Sequence, residues 1–233
     1  MNGDLTTRSG LHDVLPTLFG YIGVGLAFGI VGQTSHLSIL EILLMSLLVY
    51  AGSAQFVITS MILAGSPIPA MILSTFLVNA RMILMSTTIA QFFRKSSLRQ
   101  NIAIGTLLTD ETFALGMSKL NFTNGQLKPT WFNTANIVAY LVWALSTVIG
   151  GLLGNLITNP KAFGFDFALV AMFIGLLYLQ IIGDRQKKIG LQLWIVLAVI
   201  IMMYGLLIVM SANMAILCAT ILGCLLGMVV TKK

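Results

Sequence analysis

Apolar residues fill most of the chain in long runs that are separated by short polar breaks. Runs of roughly 18 residues or more, enough to cross a hydrocarbon core of roughly 30 Å, recur from Val14 almost to the C-terminus. The pattern predicts an all-α polytopic membrane protein, with a polar N-terminal segment (1–13) and a single transmembrane domain (14–231). The candidate segments are 14–34, 39–64, 67–92, 101–118, 131–157, 166–183, 190–210 and 212–230.

Charged residues are scarce, and their positions are more informative than their number. With 58% hydrophobic and 9% charged residues and a mean hydropathy of +0.97, the chain lacks the charged surface of a water-soluble domain. The net charge of +6 lies in short loops, where Lys and Arg orient a membrane protein, so no nucleic-acid binding is expected. Two basic clusters should face the cytoplasm: Arg94, Lys95 and Arg99, and Arg185, Lys187 and Lys188.

Three apolar segments separate these clusters, and three full crossings would put the clusters on opposite sides of the membrane. Either one of the segments is re-entrant or the charge rule fails at one loop. The segment 101–118 is the best candidate for a re-entrant element, because it is short and carries Asp110 and Glu111 near its middle. We therefore predict six to eight transmembrane segments, with interrupted or re-entrant helices among them.

Glycine is concentrated in two segments that resemble each other, 14–34 and 131–157. Each is followed by further apolar segments, which is compatible with a three-plus-linker-plus-three internal repeat of the kind found in transporters. Three glycine pairs have a spacing of four residues, which puts both members on one helix face and favours close packing. The pairs are Gly25 and Gly29, Gly150 and Gly154, and Gly223 and Gly227.

Small and polar residues interrupt the second apolar segment at residues 50–56. Here Tyr50, Gly52, Ser53 and Gln55 weaken a lipid-facing helix and supply hydrogen-bond donors and acceptors. If the helix unwinds at Gly52, the amides that begin the next half could bind a substrate carboxylate. The alternative is a continuous helix in which Ser53 and Gln55 bond to neighbouring helices.

Arg81 lies deep within segment 67–92, where an arginine costs at least about 2.5 kcal/mol on insertion scales. Helical periodicity places Ser74, Arg81 and Thr88 on one stripe and Asn79 on a stripe beside it, which predicts a polar face turned away from lipid. Arg81 could bind a substrate carboxylate through its planar fork of donors. It could instead be the structural partner of an acid elsewhere in the bundle.

Asp110 and Glu111 form a third polar cluster, between Thr109 and Thr112. Adjacent side chains point about 100° apart on a helix, so the two acids cannot address the same target. One could neutralise Arg81, and the other could exchange a proton during transport, since intramembrane acids commonly mark ion pathways. The alternative is an interfacial turn near the lipid headgroups.

The remaining reactive residues do not form a recognisable chemical site. His12 and His36 lie at segment edges, and Cys218 and Cys224 lie six residues apart without a nearby histidine. Neither spacing is typical of a metal clamp or a nucleophile–base dyad. We therefore expect no metal, no cofactor and no enzymatic activity.

These motifs resemble the AzlC family, large subunits of branched-chain amino-acid exporters, over roughly residues 14–230. The most specific stretch is YAGSAQF at residues 50–56. The other residues that carry the resemblance are Pro16, Gly20, Phe28, Gly29, Asn79, Ala80, Arg81, Asp110, Glu111, Asp166, Phe167, Ala168, Leu169, Phe173 and Ile174. Many members have His after the arginine that matches Arg81, whereas this chain has Met82, so no titrating imidazole is expected there.

The resemblance implies a secondary transporter subunit in the prokaryotic cell membrane, which exports leucine, isoleucine and valine, with methionine as a further candidate. It also implies coupling to the proton gradient and a small multi-pass partner subunit of the AzlD type. A passive small-solute channel and a structural subunit of a transporter complex are the alternatives.

The expected mechanism places the substrate carboxylate at Arg81 and at the amides near Gly52 and Ser53, and the aliphatic side chain against apolar walls. The expected substrate-binding residues are Tyr50, Gly52, Ser53, Gln55, Asn79, Arg81 and Met82. Asp110 and Glu111 are the expected ion-coupling residues or charge partners.

Overall fold

The structure, a computed structural model, describes residues 1–156, 187–210 and 212–231, with single positions at 167, 170, 174–175, 177–178 and 181–182. These residues divide into two compact units, Met1–Leu176 and Leu177–Lys233. Within them the regular structure is helical, which confirms the all-α class. Apart from the single positions, the predicted segment 166–183 lies outside the described residues, as do Asp166 and Arg185.

The described part of the first unit contains eight α-helices, which are α1 Thr7–Thr34, α2 Ile39–Leu44, α3 Gly52–Leu63, α4 Ile68–Asn79, α5 Arg81–Ala90, α6 Leu98–Thr106, α7 Asp110–Leu120 and α8 Pro129–Gly154. A π-helical turn, Met45–Val49, extends α2. The helices α4 and α5 together belong to one apolar span, Ile68–Phe93. The second unit contains α9 Ile189–Val209 and α10 Ala212–Thr231, which match the predicted segments 190–210 and 212–230.

Four helices in the described part of the chain are long and apolar enough to cross a membrane: α1, Ile68–Phe93, α8 and α9. The chain is therefore an integral membrane protein. The first of these helices already begins at Thr7, within the stretch that the sequence suggested as a polar N-terminal segment. Its start is fixed by Thr6, whose side chain accepts a hydrogen bond from the Ser9 amide.

The helices α1 and α8 form the frame of the first unit and run in the same direction. Near their starts Gly10 lies against Trp131, and near their ends Gly29 lies against Gly151. The intervening chain must therefore return to the end where α1 begins before α8 starts.

Glycine makes the close approach of α1 and α8 possible. A Cβ atom on Gly29 would lie 2.1 Å from the carbonyl oxygen of Thr147, and one on Gly150 would lie 2.3 Å from the carbonyl oxygen of Leu26. Both distances are far inside van der Waals contact, so neither position has room for a side chain. The packing role predicted for Gly29 and Gly150 is confirmed.

Residues 39–63, the candidate apolar segment 39–64, form a hairpin of two short helical arms and not one continuous crossing. Tyr50 has a left-handed backbone conformation (φ 43°, ψ 45°) and Ala51 is extended, so the helix is interrupted where the sequence indicated. Each arm has 11 or 12 residues, Ile39–Val49 and Gly52–Leu63. At 1.5 Å per residue an arm reaches about 18 Å, roughly half of a membrane.

Polar and aromatic contacts show that the two arms of this first hairpin lie side by side. Gln55 Nε2 donates a hydrogen bond to Ser46 Oγ across the arms, at 3.1 Å. Phe28 of α1 packs against Ile42 of one arm and Phe56 of the other. Both arms therefore lie beside the second half of α1, and the chain returns to the end of the bundle from which it came.

Residues 98–120 form a second hairpin, which enters from the opposite end of the bundle. It begins just after Phe93, whose ring packs against the first turn of α8, and it ends near Lys119, which is bonded to Asp13 in the second turn of α1. Its turn at Thr109 lies beside Tyr21, halfway along α1. This is the re-entrant element that the sequence predicted at 101–118.

A buried ion pair holds the base of the second hairpin. Lys119 is fully buried, and its Nζ donates to Asp13 Oδ2 at 2.5 Å, to Ser9 Oγ at 3.2 Å and to the Asn2 carbonyl at 2.8 Å. Trp131 Nε1 donates to the same Asp13 oxygen at 3.1 Å. The sequence analysis missed this cluster, because an acid and a lysine near helix ends usually reach water.

The exposed basic side chains in the described part of the first unit lie at the end where α1 begins. They are Arg8, Arg94, Lys95, Arg99 and Lys128. The two described loops at the other end, 35–38 and 64–67, contain neither Lys nor Arg. By the positive-inside rule, we expect the end where α1 begins to face the cytoplasm.

This orientation predicts which loops an impermeant thiol reagent reaches. In a chain with Cys218→Ala and Cys224→Ala, a cysteine at Ser66 should be labelled on intact cells, whereas one at Ser96 should need permeabilised membranes. The measurement is maleimide labelling of the two single-cysteine variants. Labelling of Ser96→Cys on intact cells would contradict the orientation.

Glycine substitution tests the contact between α1 and α8. Gly29→Ala should lower the stability of the folded protein by about 1–3 kcal/mol or more, because the added methyl overlaps the backbone of α8. Gly23→Ala is the matched control on the same helix, where nothing lies within 4 Å of the added Cβ. Thermal unfolding in detergent and membrane abundance are the measurements, and equal values for both variants would refute the close contact.

Candidate functional site

The tips of the two hairpins meet halfway along the long helices, a level that we call mid-depth. There they border a small cavity of about 20 Å³. This volume is room for roughly one water molecule. Three spanning helices, α1, Ile68–Phe93 and α8, complete the wall, each with residues near the middle of its length. The lining residues are Tyr21, Tyr50, Ala51, Gly52, Ser53, Arg81, Met82, Thr109, Asp110, Glu111 and Trp143.

Arg81 connects the two hairpin tips. Its Nη2 lies 2.8 Å from Asp110 Oδ2 at the start of α7, and it donates to Ser53 Oγ in the first turn of α3 at 2.9 Å. The helix that carries Arg81 turns Ser74 inward, while Ile72 and Ile83 are exposed. The expected polar face and the expected neutralisation of Arg81 by an acid are both present.

The two adjacent acids have different partners. Asp110 pairs with Arg81, whereas Glu111 Oε2 accepts a hydrogen bond from the Tyr21 hydroxyl at 3.0 Å. That hydroxyl also shares a hydrogen bond with Thr109 Oγ1 at 2.5 Å. The prediction that these acids address separate targets is confirmed.

The two half-helices that begin at the cavity differ at their N-termini. Thr109 caps α7, because its side chain accepts a hydrogen bond from the Thr112 amide at 3.2 Å. Ala51 occupies the corresponding position of α3 and offers no side-chain oxygen. The first amides of α3 are thus uncapped by any side chain and carry the positive end of the helix dipole.

Two aromatic residues shape the wall beside this uncapped end. Trp143 packs so closely on Gly52 that a Cβ there would lie 2.9 Å from the indole ring. The Tyr50 side chain is only 8% exposed, and its hydroxyl lies close to the Tyr21 hydroxyl. Both tyrosines border the cavity, so a ligand there could accept a hydrogen bond from Tyr50.

Two of the nine predicted site residues do not line the cavity. Gln55 is fully buried in a polar chain, in which it accepts from Trp143 Nε1 at 3.0 Å and donates to Ser46, which bonds Thr147 at 2.8 Å. These bonds to neighbouring helices support the first hairpin tip and agree with that part of the alternative interpretation, although the helix itself is not continuous. Asn79 lies outside the cavity wall.

The other seven predicted residues meet at one point, although no ligand identifies them as substrate contacts. Tyr21 and Trp143 are lining residues that the sequence analysis did not single out. A signal for both was present, because Tyr and Trp in membrane proteins favour the interfaces and these two lie in the middle of apolar segments.

Comparison with known proteins gives consistent matches. The model of the family described as AzlC protein matches residues 16–157. The inner membrane protein YgaZ of Escherichia coli K12 is 30% identical over 97% of this chain and 91% of its own length. The branched-chain amino acid transport protein AzlC of Bacillus subtilis 168 is 26% identical over 90% of this chain and 82% of its own. No solved structure matches.

Proposed function

This chain belongs to the AzlC protein family, and from that premise we propose that it is a subunit of a secondary transporter that exports branched-chain amino acids from the prokaryotic cell. The observation that carries the proposal is the meeting of Arg81, Asp110 and the uncapped start of α3 at mid-depth. Charged groups are rare in the middle of a bilayer and commonly mark the path of a polar substrate. Leucine, isoleucine and valine are the proposed substrates, with methionine as a further candidate.

The proposed carboxylate position lies between Arg81 and the first turn of α3. Arg81 supplies a planar fork of donors, and the amides at Gly52 and Ser53 supply the positive end of a helix dipole. Tyr50 borders the same cavity, and its hydroxyl is a further donor. Transporters with interrupted helices often hold anionic substrate groups in this way.

The proposed position of the aliphatic side chain is the apolar part of the same wall. Met82 and the Trp143 ring border the cavity beside Arg81. Met82 is unbranched and can adapt its shape to leucine, isoleucine or valine. The wall supports an apolar side chain in general and does not select one of the three.

Of the two acids, Glu111 is the proposed proton carrier. Asp110 already compensates Arg81, whereas the contacts that Glu111 makes here are with the hydroxyls of Tyr21 and Thr109. A carboxyl at mid-depth without a cation is more stable when protonated, and a local rearrangement can release the proton. Residue 82 is Met in this chain, where many members of the family have His. The proton-carrying role therefore falls to a carboxyl group.

A small multi-pass subunit of the AzlD type is the proposed partner. Support comes from the family resemblance and from the broad apolar face of Ile68–Phe93, which includes exposed Ile72, Phe76 and Leu84. Lipid would cover the same face in the absence of a partner, so co-purification is part of the test below.

Arg81→Ala should abolish export while the complex still assembles. The measurement uses dipeptide-loaded cells that express the chain with its small partner at matched membrane levels. Efflux of leucine, isoleucine, valine and methionine should fall at least about tenfold, because the substrate carboxylate loses its charge partner. Arg99→Ala, which removes an exposed cation in the first turn of α6, should export normally.

Wild-type efflux at background would refute the exporter assignment and make the channel or structural role the next to test. Normal efflux from an assembled Arg81→Ala complex would instead remove Arg81 from the transport path.

Glu111→Gln should separate transport from proton coupling. Glutamine keeps the size of the side chain and an oxygen for the Tyr21 hydroxyl, but it cannot release a proton. In reconstituted vesicles, accumulation driven by a pH gradient should be lost, whereas exchange of labelled for unlabelled leucine should continue. Gradient-driven accumulation at the wild-type rate would show that Glu111 does not carry the coupling proton.

A further inference from the structure

We propose that the Arg81–Asp110 ion pair is a lock that opens only for a zwitterionic ligand, whose ammonium group replaces Arg81 at Asp110 while its carboxylate replaces Asp110 at Arg81. The inference rests on the proposed function and adds an ammonium position to it. It also explains why an empty transporter would stay closed.

The size of the cavity shows that something must separate before an amino acid can enter. The cavity of about 20 Å³ holds roughly one water molecule, far less than leucine requires. Arg81 is the link across it, since it bonds Ser53 on the first tip and Asp110 on the second. Release of the Arg81–Asp110 contact would therefore allow the two tips to move apart.

Separation of this pair without a ligand takes from each charge, at mid-depth, the opposite charge that lies beside it. Removal of one partner from a buried ion pair is strongly unfavourable, because the other charge is left without compensation. A ligand with one charge compensates one side only. A zwitterion supplies both charges in one molecule, so each protein group exchanges one partner for another and the site remains neutral.

Each end of such a ligand finds suitable groups on its own side of the cavity. On the Arg81 side, the Ser53 hydroxyl and the uncapped amides of α3 surround the carboxylate position. On the Asp110 side, the oxygens of Glu111 and Thr109 line the same cavity and can accept from an ammonium group, which has three donors.

The pair is also accessible enough to be exchanged. The Arg81 side chain is 33% exposed and the Asp110 side chain 16% exposed, in contrast to the Lys119–Asp13 pair at 0% and 2%. Asp110 lies in the first turn of α7, where the helix dipole favours its negative charge while Arg81 is displaced. The accessible pair is suited to exchange, whereas the sealed pair is suited to hold the hairpin base in place.

Counterflow in vesicles that contain the purified complex tests this lock. Vesicles filled with labelled leucine are diluted into leucine, valine, the 2-oxo acid analogue of leucine, or the amine that lacks its carboxylate. Leucine and valine should both drive exchange, because each carries both charges. The 2-oxo acid and the amine should each be slower by about 30-fold or more, the scale expected when one partner of a desolvated charge pair is missing.

Asp110→Asn adds a specificity test that a merely structural role of Asp110 would not affect. The variant keeps the shape of the side chain but offers no anion to an ammonium group, so Arg81 then favours ligands with a carboxylate alone. The ratio of 2-oxo acid exchange to leucine exchange should rise by at least about tenfold. Leucine loses the contact between its ammonium group and residue 110, whereas the 2-oxo acid has no such contact to lose. Glu41→Gln, at an exposed acid in the first turn of α2, should leave this ratio unchanged.

Three results would overturn the lock. If wild type exchanges the 2-oxo acid or the amine as fast as leucine, the transporter assignment survives and the lock does not. If leucine itself drives no exchange, the proposed function fails and the lock fails with it. If Asp110→Asn leaves the ratio of 2-oxo acid exchange to leucine exchange unchanged, Asp110 is not the ammonium partner. If that variant does not assemble, the comparison of leucine, the 2-oxo acid and the amine in the wild type decides.

Discussion

A guanidinium group halfway through a bilayer must be compensated, and the arrangement of the first unit follows from how Arg81 meets this requirement. A single contact with Asp110 would be enough to neutralise the charge of Arg81. Arg81 also bonds Ser53, so one side chain fixes the separation of two hairpin tips that enter from opposite ends. The same bonds that neutralise the arginine therefore define the place where the two hairpin tips meet.

Irregular backbone at mid-depth is stable only where protein covers it, and two kinds of contact provide this cover. The α1–α8 frame is rigid because backbones touch at Gly29 and Gly150. The hairpins are instead held by polar bonds, through Gln55 at the first tip and through Lys119 at the base of the second. Polar bonds can exchange partners and close backbone packing cannot, so movement is more easily accommodated by the hairpins than by the frame.

The sequence predicted the chemistry of the site better than the path of the chain. Small polar residues marked the break at Tyr50, and helical periodicity separated the targets of Asp110 and Glu111. Nothing in the apolar run 39–64 distinguishes a kinked crossing from a hairpin, because both bury the same residues and differ only in where each arm packs. Gln55 shows a related ambiguity, since a buried amide can contact either a ligand or the neighbouring Trp143, and here its oxygen accepts from the Trp143 indole.

Charge neutrality connects the proposed lock to the proposed proton carrier. With the Arg81–Asp110 pair closed the two charges cancel, and with a zwitterion between them the four charges cancel as well. The substrate then crosses without net charge, so the membrane potential does no work on it, whereas each unit charge moved through 100 mV changes the free energy by about 2.3 kcal/mol. A proton on Glu111 would be the charge through which the gradient acts. In the proposed mechanism the separation of the two adjacent acids thus gives substrate recognition to Asp110 and energy coupling to Glu111.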